Sequence, residues 1–283
     1  MPEILELVNC PYCNLDDGSI WAKENGFDAI KCNNCNFIYV KNRPNRLIIQ
    51  ESVETGVHSY LSHPHSKISR RVKFKIKLYK KRFSTFLSDV WVATTPISWL
   101  DVGAGYGEII QAVQALAPPN SYVEGIDPMK PKVNIARKLG LNVNEGYLDQ
   151  VNKKFDYISF IDVFSHLDNI DDFLKKCNDH LKDGGELIIE TGNTADLKSV
   201  REVPGDLDLP DHLMFAGEKH IIGFCERNHF RVVSRISYRV DTIMNFIKSI
   251  VKKIIGRKVN ICIPYTSKYR SVIYRAKKIN WDT

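Results

Sequence analysis

The stretch LDVGAGYGEII, residues 100–110, decides the fold of this chain of 283 residues. Its glycines, Gly103, Gly105 and Gly107, alternate with other residues between an apolar run and a helical pattern. Glycine has no Cβ, so a turn built from three glycines lets its main chain approach another molecule closely. Placed directly after a strand, such a turn predicts a ligand-binding site.

Strand-like and helical patterns alternate along the chain around this turn. Strand-like runs lie at 97–102, 122–127, 141–146, 155–162 and 186–191, and helical patterns separate most of them. That alternation predicts an α/β fold, in which helices cover both faces of a parallel Rossmann-like sheet. Open sheets of this class bind ligands at the carboxyl ends of their strands, which is where the glycine turn lies.

An acidic residue, Asp127, ends the second of these strands in the segment EGIDP, twenty residues after Gly107. A carboxylate at this place can accept hydrogen bonds from two ribose hydroxyls. That feature fits either NAD or S-adenosylmethionine. The nicotinamide fingerprint requires glycine or alanine where this chain has Glu108, so the spacing D-x-G-x-G-x-G favours S-adenosylmethionine.

Five motifs occur in one order along the chain: LDVGAGYG, EGIDP, EGYLD, KFDYISFIDVFSHL and HLKDGGELIIETGN. Over roughly residues 95–240 they resemble the class I S-adenosylmethionine-dependent methyltransferases. The resemblance implies an enzyme with a seven-stranded sheet whose last strand is antiparallel. That strand is expected to be YRSVIYRAKK, with RVVSRISYR as the strand before it.

The resemblance also implies a set of residues that bind the cofactor. The glycine turn is expected to line its methionine and ribose part, Asp127 to hold the ribose, and the residues at 147 and 148 to flank adenine. The full expected set is Gly103, Ala104, Gly105, Gly107, Asp127, Pro128, Tyr147, Leu148 and Asp162.

Two histidines are candidate catalytic residues. His166 lies in DVFSH, which resembles the D-V-L-E-H stretch of family members that modify sugars and other small molecules. His212 lies in the loop 203–217 and resembles the histidine of a P-x-H-L stretch in the same family. An imidazole that titrates near neutrality suits removal of a hydroxyl proton. Ser165 replaces the glutamate usual beside the first histidine, which favours oxygen over carbon methylation. The alternatives are a loop cap for His166 and a structural role for His212.

Four of the seven cysteines form two pairs, CPYC at 10–13 and CNNC at 32–35, with eighteen residues between them. Two such turns that face each other supply four thiolates to a tetrahedral zinc ion and leave no open position. We therefore predict that Cys10, Cys13, Cys32 and Cys35 hold structural Zn²⁺ in a zinc ribbon. Redox dithiols or iron are the alternatives.

The predicted organisation has three parts: a zinc ribbon at 1–42, a linker with a basic amphipathic helix at 43–92, and the methyltransferase domain at 93–283. Nine residues of 67–82 are basic and none is acidic, within a chain of net charge +7. This helix either docks on the next domain or offers cations to RNA, an anionic lipid or a phosphorylated substrate.

Composition excludes several classes of protein. Hydrophobic residues make up 43% and charged residues 26%, and no apolar stretch approaches the roughly 20 residues that a membrane span needs. The N-terminus lacks the pattern of a secretory signal, so a cytoplasmic protein is expected. Residues 244–258 form a second basic amphipathic pattern. It predicts a helix packed between the last two strands or, alternatively, a peripheral contact with an anionic membrane.

The zinc ribbon together with this domain resembles bacterial enzymes that decorate glycans or nucleotide-linked sugars. That resemblance implies a methyltransferase acting on a hydroxyl of a saccharide, a nucleotide-linked sugar or a glycan-associated small molecule. Some ribosomal RNA methyltransferases also pair a zinc ribbon with this fold, so ribosomal RNA or tRNA is the second candidate acceptor. Against RNA, DVFSHL stands where an N-P-P-Y-type motif would follow the fourth strand.

Overall fold

The computed structural model describes residues 4–55, 68–256 and 260–279. Position 67 of the predicted basic helix and positions 257–258 of the second basic segment lie outside the described residues. Among the helices of the described ranges, none has the length and apolar character needed to cross a bilayer.

The N-terminal segment forms short strands around the two cysteine pairs. β2 and β3 make an antiparallel hairpin whose turn contains Asn25 at φ +52° and Gly26 at φ +86°. β1 and β5 pair with each other in a separate two-stranded sheet. The strands are β1 Leu5–Leu7, β2 Gly18–Glu24, β3 Phe27–Cys32, β4 Ile38–Val40 and β5 Asn42–Pro44.

The segment predicted as a linker contains a helix. α1 spans Arg46–Thr55, and its first turn is capped because the Asn45 carboxamide oxygen accepts the Ile48 N–H at 3.1 Å. Ile49 and Val53, four residues apart, face the large cavity described below. A short amphipathic helix gains its stability from such packing rather than from its own sequence.

The basic segment forms helix α2, Ile68–Phe86, and a short helix α3, Ser88–Trp91, follows it. Tyr79 and Phe83 of α2 are buried in a core shared with the main sheet. Arg82 pairs with the nearly buried Glu190 carboxylate at 2.7 Å. The helix is therefore docked on the next domain. Most of its other described basic residues are exposed, and Lys75 faces the large cavity.

The main sheet has seven strands in the order β12-β13-β10-β9-β6-β7-β8, and β13 is antiparallel to both of its neighbours. This arrangement confirms the predicted fold class and the predicted last two strands. The remaining elements are β6 Ser98–Val102, α4 Glu108–Gln114, β7 Tyr122–Asp127, α5 Lys130–Lys138, β8 Val143–Glu145, β9 Phe155–Ile161, α6 Ile170–His180, β10 Leu181–Gly192, β11 Met214–Phe215, α7 Glu218–Arg227, β12 Phe230–Arg239, α8 Ile243–Ile254 and β13 Arg270–Lys278.

The N-terminal strands and the large domain share one hydrophobic core. β11, from the loop region after the fifth strand of the main sheet, adds a fourth strand to the N-terminal sheet in the order β11-β4-β3-β2. Tyr12 and Phe37 pack edge-on against Phe224 of α7, with ring centroids 5.0 and 5.7 Å from its ring. The N-terminal unit is therefore tied to the large domain by both backbone pairing and aromatic packing.

Candidate functional site

A cavity of about 1180 Å³ opens at the carboxyl ends of the parallel strands. Its walls come from the loops that follow β6, β7, β8 and β9, from α1 and α2, and from residues 203–212. The predicted cofactor residues and both candidate histidines face this one cavity, except for Gly107.

The three glycines of the turn have different roles, although all have positive φ angles of +74°, +55° and +81°. A Cβ on Gly105 would meet no atom closer than the Glu108 carboxylate at 3.5 Å, so its Cα faces open space. A Cβ on Gly103 would fall 2.4 Å from Val163. A Cβ on Gly107 would fall 2.2 Å from Leu141. Gly107 therefore permits close packing at the start of α4. Contrary to the prediction, it does not line the cavity.

Asp127 is buried at the end of β7 and connects two loops. Its carboxylate accepts the Gly105 N–H at 2.7 Å with one oxygen and the Met129 N–H at 2.8 Å with the other. Each oxygen of a carboxylate has a second lone pair, so both can also accept a ligand hydroxyl. Pro128, which follows Asp127 in the chain, and Ala104 of the glycine turn were predicted for the same site and also line the cavity.

The other end of the cavity contains Tyr147 and Leu148, in the turn after β8. Leu148 is buried, and the Tyr147 hydroxyl donates to Glu54 of α1 at 3.1 Å. Asp162, after β9, has φ +58° and lies 3.5 Å from the Lys75 ammonium of α2. The two N-terminal helices therefore close over residues that the motifs alone had identified.

Asp101, the first residue of the D-x-G-x-G-x-G pattern, lines the cavity, although the sequence assigned it no role. Its buried carboxyl accepts the Ser159 hydroxyl at 2.6 Å, and Ser159 accepts the Trp99 N–H at 2.9 Å. Burial raises the pKa of Asp101 to about 8, although the Ser159 hydrogen bond acts in the opposite direction. The available signal was a charged residue inside an apolar strand, directly before the glycine turn.

His166 and His212 form a pair in the cavity wall, with ring centroids 4.8 Å apart. His166 Nδ1 lies 2.9 Å from the Asp211 carbonyl oxygen, and His212 Nδ1 lies 2.8 Å from the Leu207 carbonyl oxygen. A carbonyl only accepts, so both Nδ1 atoms donate and each neutral ring has its lone pair on Nε2. The arrangement therefore supplies two potential proton acceptors.

The two histidines differ in their affinity for protons. Burial and the neighbouring His166 lower the pKa of His212 below its ordinary value. Burial also acts to lower the pKa of His166, but the Asp211 carboxylate and carbonyl outweigh it, so that pKa is raised. Around neutral pH, His212 is therefore the better candidate for an uncharged base.

The loop that contains His212 is held by the N-terminal strands. The Glu24 carboxylate accepts the N–H groups of Leu207 and Leu209, each at 3.0 Å. The Val40 N–H donates to the Leu213 carbonyl at 2.9 Å, and the Leu213 N–H donates to the Ser165 carbonyl at 2.7 Å. A continuous set of backbone contacts therefore connects the N-terminal sheet to both histidine segments.

The four predicted metal ligands come together. Cys10 Sγ lies 3.5 Å from Cys35 Sγ, Cys13 Sγ lies 3.6 Å from Cys32 Sγ, and all four sulfurs are within 4.8 Å of one another. Burial raises the pKa of Cys10, and it raises that of Cys35 to about 11. These two thiols therefore need a cation to become thiolates near neutral pH.

His220 of α7, which the sequence did not identify, supports this cluster. It is fully buried, its Nδ1 accepts the Gly217 N–H at 3.0 Å, and its Nε2 donates to the Cys35 carbonyl at 2.9 Å. A histidine inside an amphipathic helix gives no sequence signal for such a contact, because the partner lies 185 positions away in the chain.

Comparison with known proteins supplies the family. Residues 72–235 match the family described as a methyltransferase domain. A search of curated proteins with the sequence finds no significant match. Three similar solved structures are 14% or 15% identical to this chain, and at such identities structural likeness shows a common fold but does not identify the acceptor.

Similar solved structures with TM-scores above 0.5 include the following three. Geranyl diphosphate C-methyltransferase from Streptomyces coelicolor A3(2) has a TM-score of 0.56 at 15% identity, over 82% of this chain and 98% of that chain. Magnesium protoporphyrin IX methyltransferase from Synechocystis PCC 6803, with bound SAH, has a TM-score of 0.52 at 14% identity, over 82% and 98%. An S-adenosylmethionine-dependent methyltransferase from Clostridium acetobutylicum ATCC 824 has a TM-score of 0.51 at 14% identity, over 75% and 95%.

Proposed function

Because the chain belongs to the methyltransferase-domain family and is an S-adenosylmethionine-dependent methyltransferase, we propose that it methylates a hydroxyl group of a saccharide, a nucleotide-linked sugar or a glycan-associated small molecule. The similar enzymes are named for acceptors as different as geranyl diphosphate and a porphyrin, so the acceptor has to be argued from the site. The observation that supports a hydroxyl acceptor is the His166–His212 pair in the wall of the cofactor cavity.

The cavity residues fit S-adenosylmethionine. Open space at Gly105 admits a ligand against the main chain, and the free lone pairs of Asp127 suit ribose hydroxyls. The apolar side chains of Ile126 and Leu148 line the same cavity and suit a nucleobase. Bound there, the cofactor supplies an electrophilic methyl group on a sulfonium sulfur.

The histidines would act on the acceptor. In the proposed mechanism His212, neutral near pH 7, would take the proton of the acceptor hydroxyl as that oxygen attacks the methyl carbon, with the methyl–sulfur bond breaking to leave a neutral thioether. His166 and Asp211 hold the neighbouring wall in place through the 2.9 Å hydrogen bond between them. Asp206, Asp208 and Asp211 also line this side of the cavity and offer acceptors for the many hydroxyls of a saccharide. Because methyl transfer is an in-line displacement, alignment of the two reactants is the protein's other contribution.

Replacement Gly105→Ala is expected to weaken S-adenosylmethionine binding about tenfold in calorimetry, a change of about 1.4 kcal/mol. The new methyl group would occupy the space that the ligand needs, in a backbone region at φ +55° that disfavours side chains. Gly140→Ala is the matched control, because Gly140 has φ +77° and open space for a Cβ but lies outside the cavity. Equal affinities for both variants and the parent would contradict this placement of the cofactor.

We also propose that the four cysteines hold a structural zinc ion. Tetrahedral coordination with Zn–S distances of about 2.3 Å requires sulfurs about 3.8 Å apart. The Cys10–Cys35 and Cys13–Cys32 sulfur separations of 3.5 and 3.6 Å are close to this value. Four protein ligands leave no position for a substrate, which gives the metal a structural role.

RNA is the second candidate acceptor, and the observation in its favour is the exposed side of α2. Lys73, Lys77, Lys80 and Lys81 are exposed there and could contact phosphates. The docking of the same helix through Tyr79 and Phe83 accounts for its buried apolar residues but gives these lysines no role.

One labelling experiment separates the two acceptors. The purified chain is incubated with methyl-labelled S-adenosylmethionine and a panel of nucleotide sugars, glycans and total RNA, and the products are identified by mass spectrometry. We expect a mass increase of one methyl group on a saccharide oxygen that depends on His212. Label recovered in RNA nucleotides, with the saccharides unmodified, would refute the saccharide proposal.

A further inference from the structure

Helix α8 exposes its apolar side. Ile243, Met244, Ile247, Val251 and Ile254 are between 50% and 78% exposed, and most of them recur every three or four residues along one face. Ile255, directly after the helix, is also exposed. A surface helix of a globular protein normally turns such a face inward. An exposed apolar row of this length indicates a surface that contacts another molecule or a membrane.

The polar side of α8 is the side that packs on the protein. Ser249 is buried, and the Asn245 carboxamide donates to the Val240 carbonyl at 2.7 Å. The Lys252 ammonium lies 3.4 Å from the Asp206 carboxylate. Polar contacts, together with the half-buried Phe246, therefore hold this side of α8 against the protein, and the exposed apolar row lies on the other side of the helix.

Charge identifies the occupant of this face. Lys248 and Lys253 are exposed and border the apolar row, and residues 243–256 contain no acidic side chain. We propose that the exposed face of α8 binds an anionic lipid surface, with its apolar side chains in the acyl boundary and these lysines at the headgroups. Self-association would place the same lysines of two copies near each other in a symmetric contact, which is unfavourable.

The packed side of α8, opposite its lipid-binding face, adjoins the acceptor side of the cavity. Asp206, the partner of Lys252, lines the cavity together with Val203 and Pro204. Val240, the partner of Asn245, lines it as well. If the proposed saccharide acceptor is correct, the cavity lies one helix away from the bilayer, and this placement favours an acceptor attached to a lipid.

The test is co-sedimentation of the full chain with vesicles of phosphatidylcholine mixed with phosphatidylglycerol, against vesicles of phosphatidylcholine alone. We expect binding to the anionic vesicles that weakens as salt is raised. The double variant Ile247→Ser and Ile254→Ser should weaken it roughly a hundredfold. The double variant Lys248→Gln and Lys253→Gln should weaken it roughly 25-fold, about fivefold for each lysine.

Matched controls use exposed residues elsewhere. Val92→Ser with Leu139→Ser removes two exposed apolar side chains, and Lys138→Gln with Lys175→Gln removes two exposed lysines outside both basic helices. Both control pairs should bind vesicles like the parent. The inference is overturned if the α8 variants bind normally, or if sedimentation without vesicles shows a dimer that Ile247→Ser and Ile254→Ser dissociate. Vesicle binding needs no turnover, so a failed saccharide assay leaves this result interpretable.

Discussion

Replacement of His212 by alanine is expected to lower kcat for the acceptor by about 10²- to 10⁴-fold, the range typical of a general base. The affinity for S-adenosylmethionine should stay unchanged, because the glycine turn and Asp127 make the predicted cofactor contacts. The measurement is initial-rate kinetics together with calorimetry of donor binding. His229→Asn is the control, since His229 is exposed outside the cavity and has φ +63°, which asparagine tolerates.

The pH profile tests which histidine takes the proton. A base must be uncharged, so activity falls as the pH drops through the pKa of that residue. The pKa of His212 is lowered from 6.5 by burial and by His166, so we expect the acid limb of kcat to lie below pH 6.5. In the variant His166→Ala one lowering influence is lost, and the limb should move upward. An acid limb above pH 6.5 in the parent would assign the base to His166, whose pKa is raised.

Local patterns were sufficient to predict the central fold. The period of apolar residues and the glycine turn identified β6, β7 and β9, and the order of motifs placed the antiparallel strand at Arg270–Lys278. Each of these strands, and the glycine turn, is determined by the residues of one short segment, so a local pattern is enough to predict it. The cysteine spacing likewise predicted a cluster that the folded chain brings together.

Long-range contacts explain what the sequence did not reveal. α1 gains its role from packing over the cavity, and Asp101 gains its raised pKa from complete burial. β11 has two residues and exists because β4 pairs with it, 175 positions away at Met214 and Tyr39. The sequence also could not predict that the apolar face of α8 points outward. The periodicity of apolar residues separates two sides of a helix, but it does not show which side packs on the protein.

Removal of zinc is expected to abolish acceptor methylation while the chain retains most of its affinity for S-adenosylmethionine. The proposed metal holds the turns on both sides of β2 and β3, and those strands hold the His212 loop through Glu24 and the pairing of β4 with β11. Binding of structural zinc contributes about 10–16 kcal/mol to the folding of such small units. Without it, the loop loses its support although the cofactor cavity retains its main sheet.

The measurement compares metal content, donor affinity and acceptor turnover before and after chelation, and in the variant Cys13→Ser. Cys262→Ser is the control, because Cys262 is a thiol outside the cluster and should leave one zinc ion per chain. Glu24→Ala gives a milder test that keeps all four ligands, since it leaves the N–H groups of Leu207 and Leu209 without their acceptor. Losing such contacts costs about 1–3 kcal/mol each, so turnover should fall while zinc and donor binding persist. Full turnover in metal-free protein would show that the ribbon does not position the histidine loop.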